Sequence, residues 1–190
     1  MRRVIGYFVV GMLGGAGIPG GPTGGTGSAY GAQTNASAAP ATAVKVDTVA
    51  SGLSHPWGLQ FLPDGRMLVT ERDGRLRIVG KDGALSAPVT GVPKVHARGQ
   101  GGLLDVRLAP DFADSGVLYF SFSEPREGWG KSGTSVARAR LALDASTGSG
   151  RLEDLRVIFR QEPAQGTSHH YGSRVVVAPD GKLFITTGDR

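Results

Sequence analysis

The chain reads as an all-β protein, a β-propeller built from repeated antiparallel units, and three observations predict it. A strand, a Pro-Asp turn and a returning strand recur three times along the sequence. Apolar and polar residues alternate with period two inside those strands, and no comparable helical period is present. Asp-Gly pairs, which supply the positive φ angles of tight hairpins at low steric cost, recur at Asp64-Gly65, Asp73-Gly74, Asp82-Gly83 and Asp180-Gly181.

The first unit runs from Gly58 to Thr70 around the turn Pro63-Asp64-Gly65. Asp73-Gly74 then turns the chain into Arg75 to Val79, where Arg75 and Arg77 fall on one face and Leu76 and Ile78 on the other, as a half-buried strand requires. The second unit starts at Gly102, turns at Pro110-Asp111-Phe112 and returns through Val117 to Ser121. Glu124 to Gly133, rich in glycine and charge, reads as a long surface loop bordering a substrate entrance, and Ser135 to Leu143 alternates as an outer strand. The third unit runs from Gly172 to Thr186 around Pro179-Asp180-Gly181. Asp64, Asp111 and Asp180 recur at intervals compatible with blades of roughly 40 to 50 residues, the second interval being stretched by an insertion. An open sheet or a sandwich would use the same short strands, but the repeated Pro-Asp turn favours the propeller.

The first 43 residues are set apart from this pattern. Arg2 and Arg3 form a positive start, Val4 to Leu13 is apolar but short for a bilayer span, and a spacer rich in Gly, Ser, Thr and Pro follows. This is a signal-peptide pattern, with small-residue cleavage candidates at Ala36-Ser37-Ala38 and Ala41-Thr42-Ala43, and it predicts an exported protein, periplasmic or secreted; an uncleaved N-terminal anchor is the alternative. The domain is expected over residues 44–190, without membrane insertion once the leader is removed. There is no cysteine, which excludes lipoprotein attachment, disulfides, thiolate metal sites and thiol nucleophiles. The formal charge of +5 falls to +3 without Arg2 and Arg3, and the remaining arginines are scattered rather than interleaved with aromatic residues, so a nucleic-acid partner is not expected. Residues 44–190 make roughly three blades, where closed propellers have about four to eight, so the sequence is expected to be the N-terminal part of a larger propeller.

In a propeller the connections that enter the innermost strands all lie at one end of the central channel. His55 and Trp57, then Gln100, then His170 occupy those connections and are expected around one opening. Glu71, Glu124 and Asp189 end the returning strands at the same end, which puts Asp189 within reach of His170. A histidine oriented by a carboxylate is suited to proton abstraction near neutrality. The adjacent His169 and His170 are not expected to share a metal ion, because neighbouring strand residues point to opposite faces.

Arg98 to Asp105, Pro110-Asp111-Phe112, Val157 to Gln161, His170 to Arg174, and Pro179-Asp180-Gly181 followed by Gly188-Asp189 together resemble the glucose/sorbosone dehydrogenase family. The similarity runs from Gly52 to Arg190, with several motifs in one order, and matches the family's N-terminal half. It implies a six-bladed propeller that holds pyrroloquinoline quinone (PQQ) and calcium and oxidises the anomeric hydroxyl of an aldose to a lactone, delivering electrons to an external acceptor. It further implies that His170 is the general base and Asp189 its carboxylate, while Gln100, His169, Tyr171 and Arg174 lie with sugar and cofactor. His169 stands where the family usually has a small, polar or acidic residue, a departure that bears on sugar preference. The cationic cofactor ligands and the calcium loop are expected beyond Arg190. Two other readings are a calcium-dependent sugar lactonase, for which the entering turns offer His, Gln and His rather than carboxylate and Asn ligands, and a non-catalytic sugar-binding or interaction propeller.

Overall fold

Among the described residues, nine strands and one turn of helix form three antiparallel sheets taken in chain order. The first holds β1 (Pro56–Phe61), β2 (Met67–Glu71) and β3 (Arg75–Val79) in the order β1-β2-β3. The second is four-stranded: β4 (Leu103–Leu108), the one-turn helix α1 (Phe112–Ser115) on the connection, β5 (Val117–Pro125), β6 (Ser132–Leu143) and β7 (Gly150–Arg160), in the order β4-β5-β6-β7. The third pairs β8 (Val175–Val177) with β9 (Leu183–Ile185). The structure is a computed structural model that describes residues 45–190; the leader and spacer expected over residues 1–43 lie outside it.

The three strand-turn-strand units stand where the repeat places them, as the inner hairpins of successive blades. The loop expected over Glu124 to Gly133 is shorter, because β5 runs on to Pro125 and β6 begins at Ser132, leaving Arg126 to Lys131 between them. β7 was not among the expected strands. Its charged residues Arg151, Glu153, Asp154 and Arg156 mask the alternation, and register shifts at Val136/Ala137 and Arg138/Arg140 interrupt its pairing with β6.

The first two inner strands share a local irregularity. Register shifts between Pro56 and Leu59 in β1 and between Leu103 and Val106 in β4, next to the end where the chain enters each blade. A hydroxyl on the neighbouring strand fills the gap in each ladder: Gly58 N–H donates to Thr70 Oγ1 at 2.8 Å, and Asp105 N–H donates to Ser121 Oγ at 2.9 Å. Each hydroxyl then donates onward to the next blade, Thr70 to the Leu104 carbonyl and Ser121 to the Ser173 carbonyl, both at 2.6 Å. One side chain therefore satisfies a bulge and joins two sheets, at a place where an unpaired buried backbone group would be costly.

Apolar faces fill the space between sheets. Leu68, Leu76, Ile78, Val106, Leu118, Phe120, Phe122, Ala137 and Ala139 are buried in one cluster, with the Phe120 and Phe122 rings 5.8 Å apart and tilted. Glu71 is buried at the end of β2. Burial pushes its carboxyl up, but the Ser54 N–H, the Arg75 guanidinium and the Arg77 charge outweigh that and hold it below its ordinary value. It is a fixed anion that pins Ser54 to β2.

Candidate active site

The entering connections of the three blades meet at one end of the sheets and are tied to one another in sequence. Arg72 donates its backbone N–H to the His55 carbonyl at 3.1 Å and a guanidinium N–H to the Gly99 carbonyl at 2.7 Å, joining the first connection to the second. Gly102, at φ +149°, lies so close to the Arg72 carbonyl that a Cβ there would overlap it, so only glycine lets the second blade begin at that point. The second connection is joined to the third by Gln100, whose backbone N–H donates to the Ser168 carbonyl at 2.8 Å.

His170 sits at the centre of this junction. Its backbone N–H donates to Gln100 Oε1 at 2.8 Å, and its ring Nδ1 lies 2.7 Å from Asp189 Oδ1. A carboxylate only accepts, so this pairing places the ring hydrogen on Nδ1 and leaves the Nε2 lone pair free. The residue adopts φ +58°, a left-handed conformation uncommon outside glycine. Gly188 makes room for it: a Cβ there would overlap the His170 carbonyl oxygen. Both the ring and Asp189 are open to solvent.

His169 is exposed beside it, its ring edge-on to that of His170 with centroids 6.4 Å apart. The pair lies in an irregular loop that precedes β8, so the strand alternation expected there does not apply. Tyr171 is turned inward. Its hydroxyl bonds Ser132 Oγ at 2.7 Å, its carbonyl accepts from Thr134 Oγ1 at 2.7 Å, and the Arg190 guanidinium covers its ring at 3.9 Å. Arg174 reaches back to the preceding blades, donating to Asp105 Oδ1 at 2.9 Å and lying 5.3 Å over the Trp57 ring.

The structure thus brings His170, Asp189 and Gln100 into direct contact and sets His169 beside them, while Tyr171 and Arg174 are engaged with other parts of the protein. The His55 side chain makes a 3.2 Å contact with Ser54 Oγ and does not join the group. Glu124 is held by Ser135, Arg126 and Arg160 at the outer side of β5. Asp105 is the important residue that sequence reasoning passed over. It is buried and gathers Arg174 and the Val175 N–H, each at 2.9 Å, fixing the start of β8 just downstream of His170. A charged residue inside the apolar run Leu103 to Val106 was the available signal, since a buried carboxylate needs partners. Among the described residues no cluster of three or more His, Asp or Glu could hold a metal ion.

Known proteins resemble this chain in sequence and fold. The aldose sugar dehydrogenase YliI of Escherichia coli (strain K12) is 49% identical over 153 residues, covering 80% of this chain and 40% of that protein. A crystal structure of a glucose dehydrogenase superposes with a TM-score of 0.70 at 48% identity, over 76% of this chain and 41% of its own. The PQQ-bound form of an aldose sugar dehydrogenase from Streptomyces coelicolor superposes with a TM-score of 0.62 at 32% identity, over 75% of this chain and 40% of its own. The chain therefore spans about 40% of the length of these relatives, and its three sheets are consecutive blades of a β-propeller. The model of the glucose/sorbosone dehydrogenase family matches residues 53–190, from the first entering connection through Asp189, and the chain belongs to that family.

Proposed function

We propose that the full-length protein oxidises the anomeric hydroxyl of an aldose to the lactone, with PQQ as oxidant and His170 as general base. The observation that carries this reading is the fixed geometry of His170: Asp189 holds Nδ1, Gln100 holds the backbone, and Nε2 is left as a proton acceptor at the open end of the sheets. A base held in one tautomer and one orientation needs no rearrangement before it acts.

The donors present suit a planar group that carries carboxylates and quinone oxygens. The Gln100 amide NH₂ and the Arg98 guanidinium have no side-chain partner among the described residues, and these two would hold PQQ at the rim. When bound, PQQ supplies the two-electron oxidant that takes the hydride from C1 of the sugar. His170 Nε2 takes the proton of the C1 hydroxyl, Asp189 stabilises the imidazolium that results, and the C1–O bond becomes a carbonyl. His169, exposed beside the base, is assigned to the sugar. Calcium is implied by the family resemblance. An external electron acceptor completes the turnover, and export follows from the leader-like N-terminus.

Full-length protein supplied with PQQ and calcium is expected to reduce an artificial dye when given an aldose. A panel of hexoses, pentoses and disaccharides with no dye reduction, despite confirmed cofactor binding, would overturn the proposal.

A further inference from the structure

Tyr171 directly follows the proposed base and is 3% exposed, buried within the blades described above. Its hydroxyl meets Ser132 Oγ at 2.7 Å, and its carbonyl accepts from Thr134 Oγ1 at 2.7 Å. A buried hydroxyl and a buried carbonyl both need partners, and here the two partners stand on one strand, β6, which holds the residue at side chain and backbone together.

The ring reaches the rest of the site through its chain neighbours. Its edge lies against Gly101, where a Cβ would come within 3.0 Å of Tyr171 Cε2, and Gly101 follows Gln100. Its face lies under the Arg190 guanidinium, 3.9 Å from the ring centroid, and Arg190 follows Asp189. Arg190 Nη2 also donates to the Ser132 carbonyl at 3.2 Å and to the Thr167 carbonyl at 2.7 Å, which closes the group around the ring. Gln100, His170 and Asp189 come from separate segments. A single buried ring is next in the chain to one of them and packs on the chain neighbours of the other two.

We propose that Tyr171 is a positioning residue: tied to β6 by Ser132 and Thr134, it sets the His170 imidazole against Asp189 and so holds the ring in one tautomer. This rests on the assignment of His170 as base. The left-handed backbone of His170 persists where its surroundings over-determine it, and Tyr171 supplies the ties on its C-terminal side as Gln100 does at its N–H. With those ties cut the backbone relaxes, Nδ1 leaves Asp189, and the ring is free to take either tautomer.

The test uses full-length protein carrying isotope-labelled histidine, with Tyr171→Phe and Thr134→Val made singly and together; each removes one tie and nearly keeps the side-chain volume. The His170 ring nitrogens, identified by their loss in His170→Gln, are followed by NMR at about pH 9, where an ordinary histidine is neutral. The unaltered protein is expected to show Nδ1 protonated, and the double variant a mixture of tautomers while still melting cooperatively. Unchanged Nδ1 protonation in the double variant overturns the proposal, and so does a mixture already present in the unaltered protein. If the double variant does not fold, the single variants decide by the same signal. Turnover gives a second reading: with PQQ and calcium bound, kcat is expected to fall about tenfold or more in the double variant with KM within about twofold, since a displacement of about 1 Å can cost on the order of 10²-fold. A rise in KM at unchanged kcat overturns the proposal by placing Tyr171 at the sugar. Absence of dye reduction in the unaltered protein counts against the oxidation chemistry, while the ring-nitrogen signal still decides the role of Tyr171.

Discussion

His170 combines an unfavourable backbone conformation with two fixed hydrogen bonds. A left-handed non-glycine residue costs about 1–3 kcal/mol, and the surrounding contacts hold it: Gln100 takes the N–H, Asp189 takes Nδ1, and the missing side chain of Gly188 leaves space for the carbonyl. Under the proposed mechanism, His170→Ala should lower kcat by ~10²–10⁴ while leaving PQQ absorbance in place, because a positioned base contributes about that much. His169→Ala should act mainly on KM. If His169→Ala gives the larger loss of kcat, the base has been assigned to the wrong member of the pair. The sequence made His170, Gln100 and Asp189 visible because the repeat puts all three at one end of the sheets, and their contact follows from that topology. Tyr171 was not legible in the same way. Its partners Ser132 and Thr134 lie 39 and 37 residues away, and no local pattern separates an aromatic facing ligand from one bonded across blades.

At the scale of the element, the shared feature is the strand hydroxyl that mends a bulge and bridges to the next blade. Thr70→Val keeps the shape but leaves the Gly58 N–H and Leu104 carbonyl without their partner, which should destabilise the full-length protein by about 1–3 kcal/mol; Ser121→Ala should do the same through Asp105 and Ser173. Chemical denaturation reads this directly, and unchanged midpoints in both variants would show that the bridges are incidental. Thr186 repeats the first half of the pattern, accepting the Arg174 N–H at 2.9 Å. The strands themselves were legible from alternation and Asp-Gly turns. The bridges were not, because Ser and Thr in a strand also read as ordinary β formers, and only the three-dimensional register reveals which hydroxyl meets a bulge. β7 escaped for the opposite reason: as the outer strand of its sheet it buries Leu152 and leaves most of its charged side chains in water, so its pattern resembles a loop.

At the scale of the whole molecule, the two outermost sheets turn apolar surface to solvent. On β1, Gly58 faces the second sheet, so Leu59 and Phe61 point the other way and are 50% and 63% exposed. On the third sheet Val175 is buried against the second, while Val176 and its cross-strand partner Phe184 face outward at 48% and 50% exposed. The inner faces between consecutive sheets are sealed, whereas these residues lie on the outward faces of the first and last sheets. A closed propeller removes such ends by seating another blade on each, and relatives of which the matched segment is only 40% have the chain to do so. Residues 45–190 produced alone should therefore expose both apolar faces, bind a hydrophobic dye such as ANS, and self-associate rather than run as a single monomeric species. Replacing Leu59, Phe61, Val176 and Phe184 with polar residues should reduce that association without disturbing the buried cluster between the first and second sheets. Sedimentation of the two forms decides the matter: a fragment that is already monodisperse, and melts cooperatively without those replacements, would show that the end faces need no further blades to cover them.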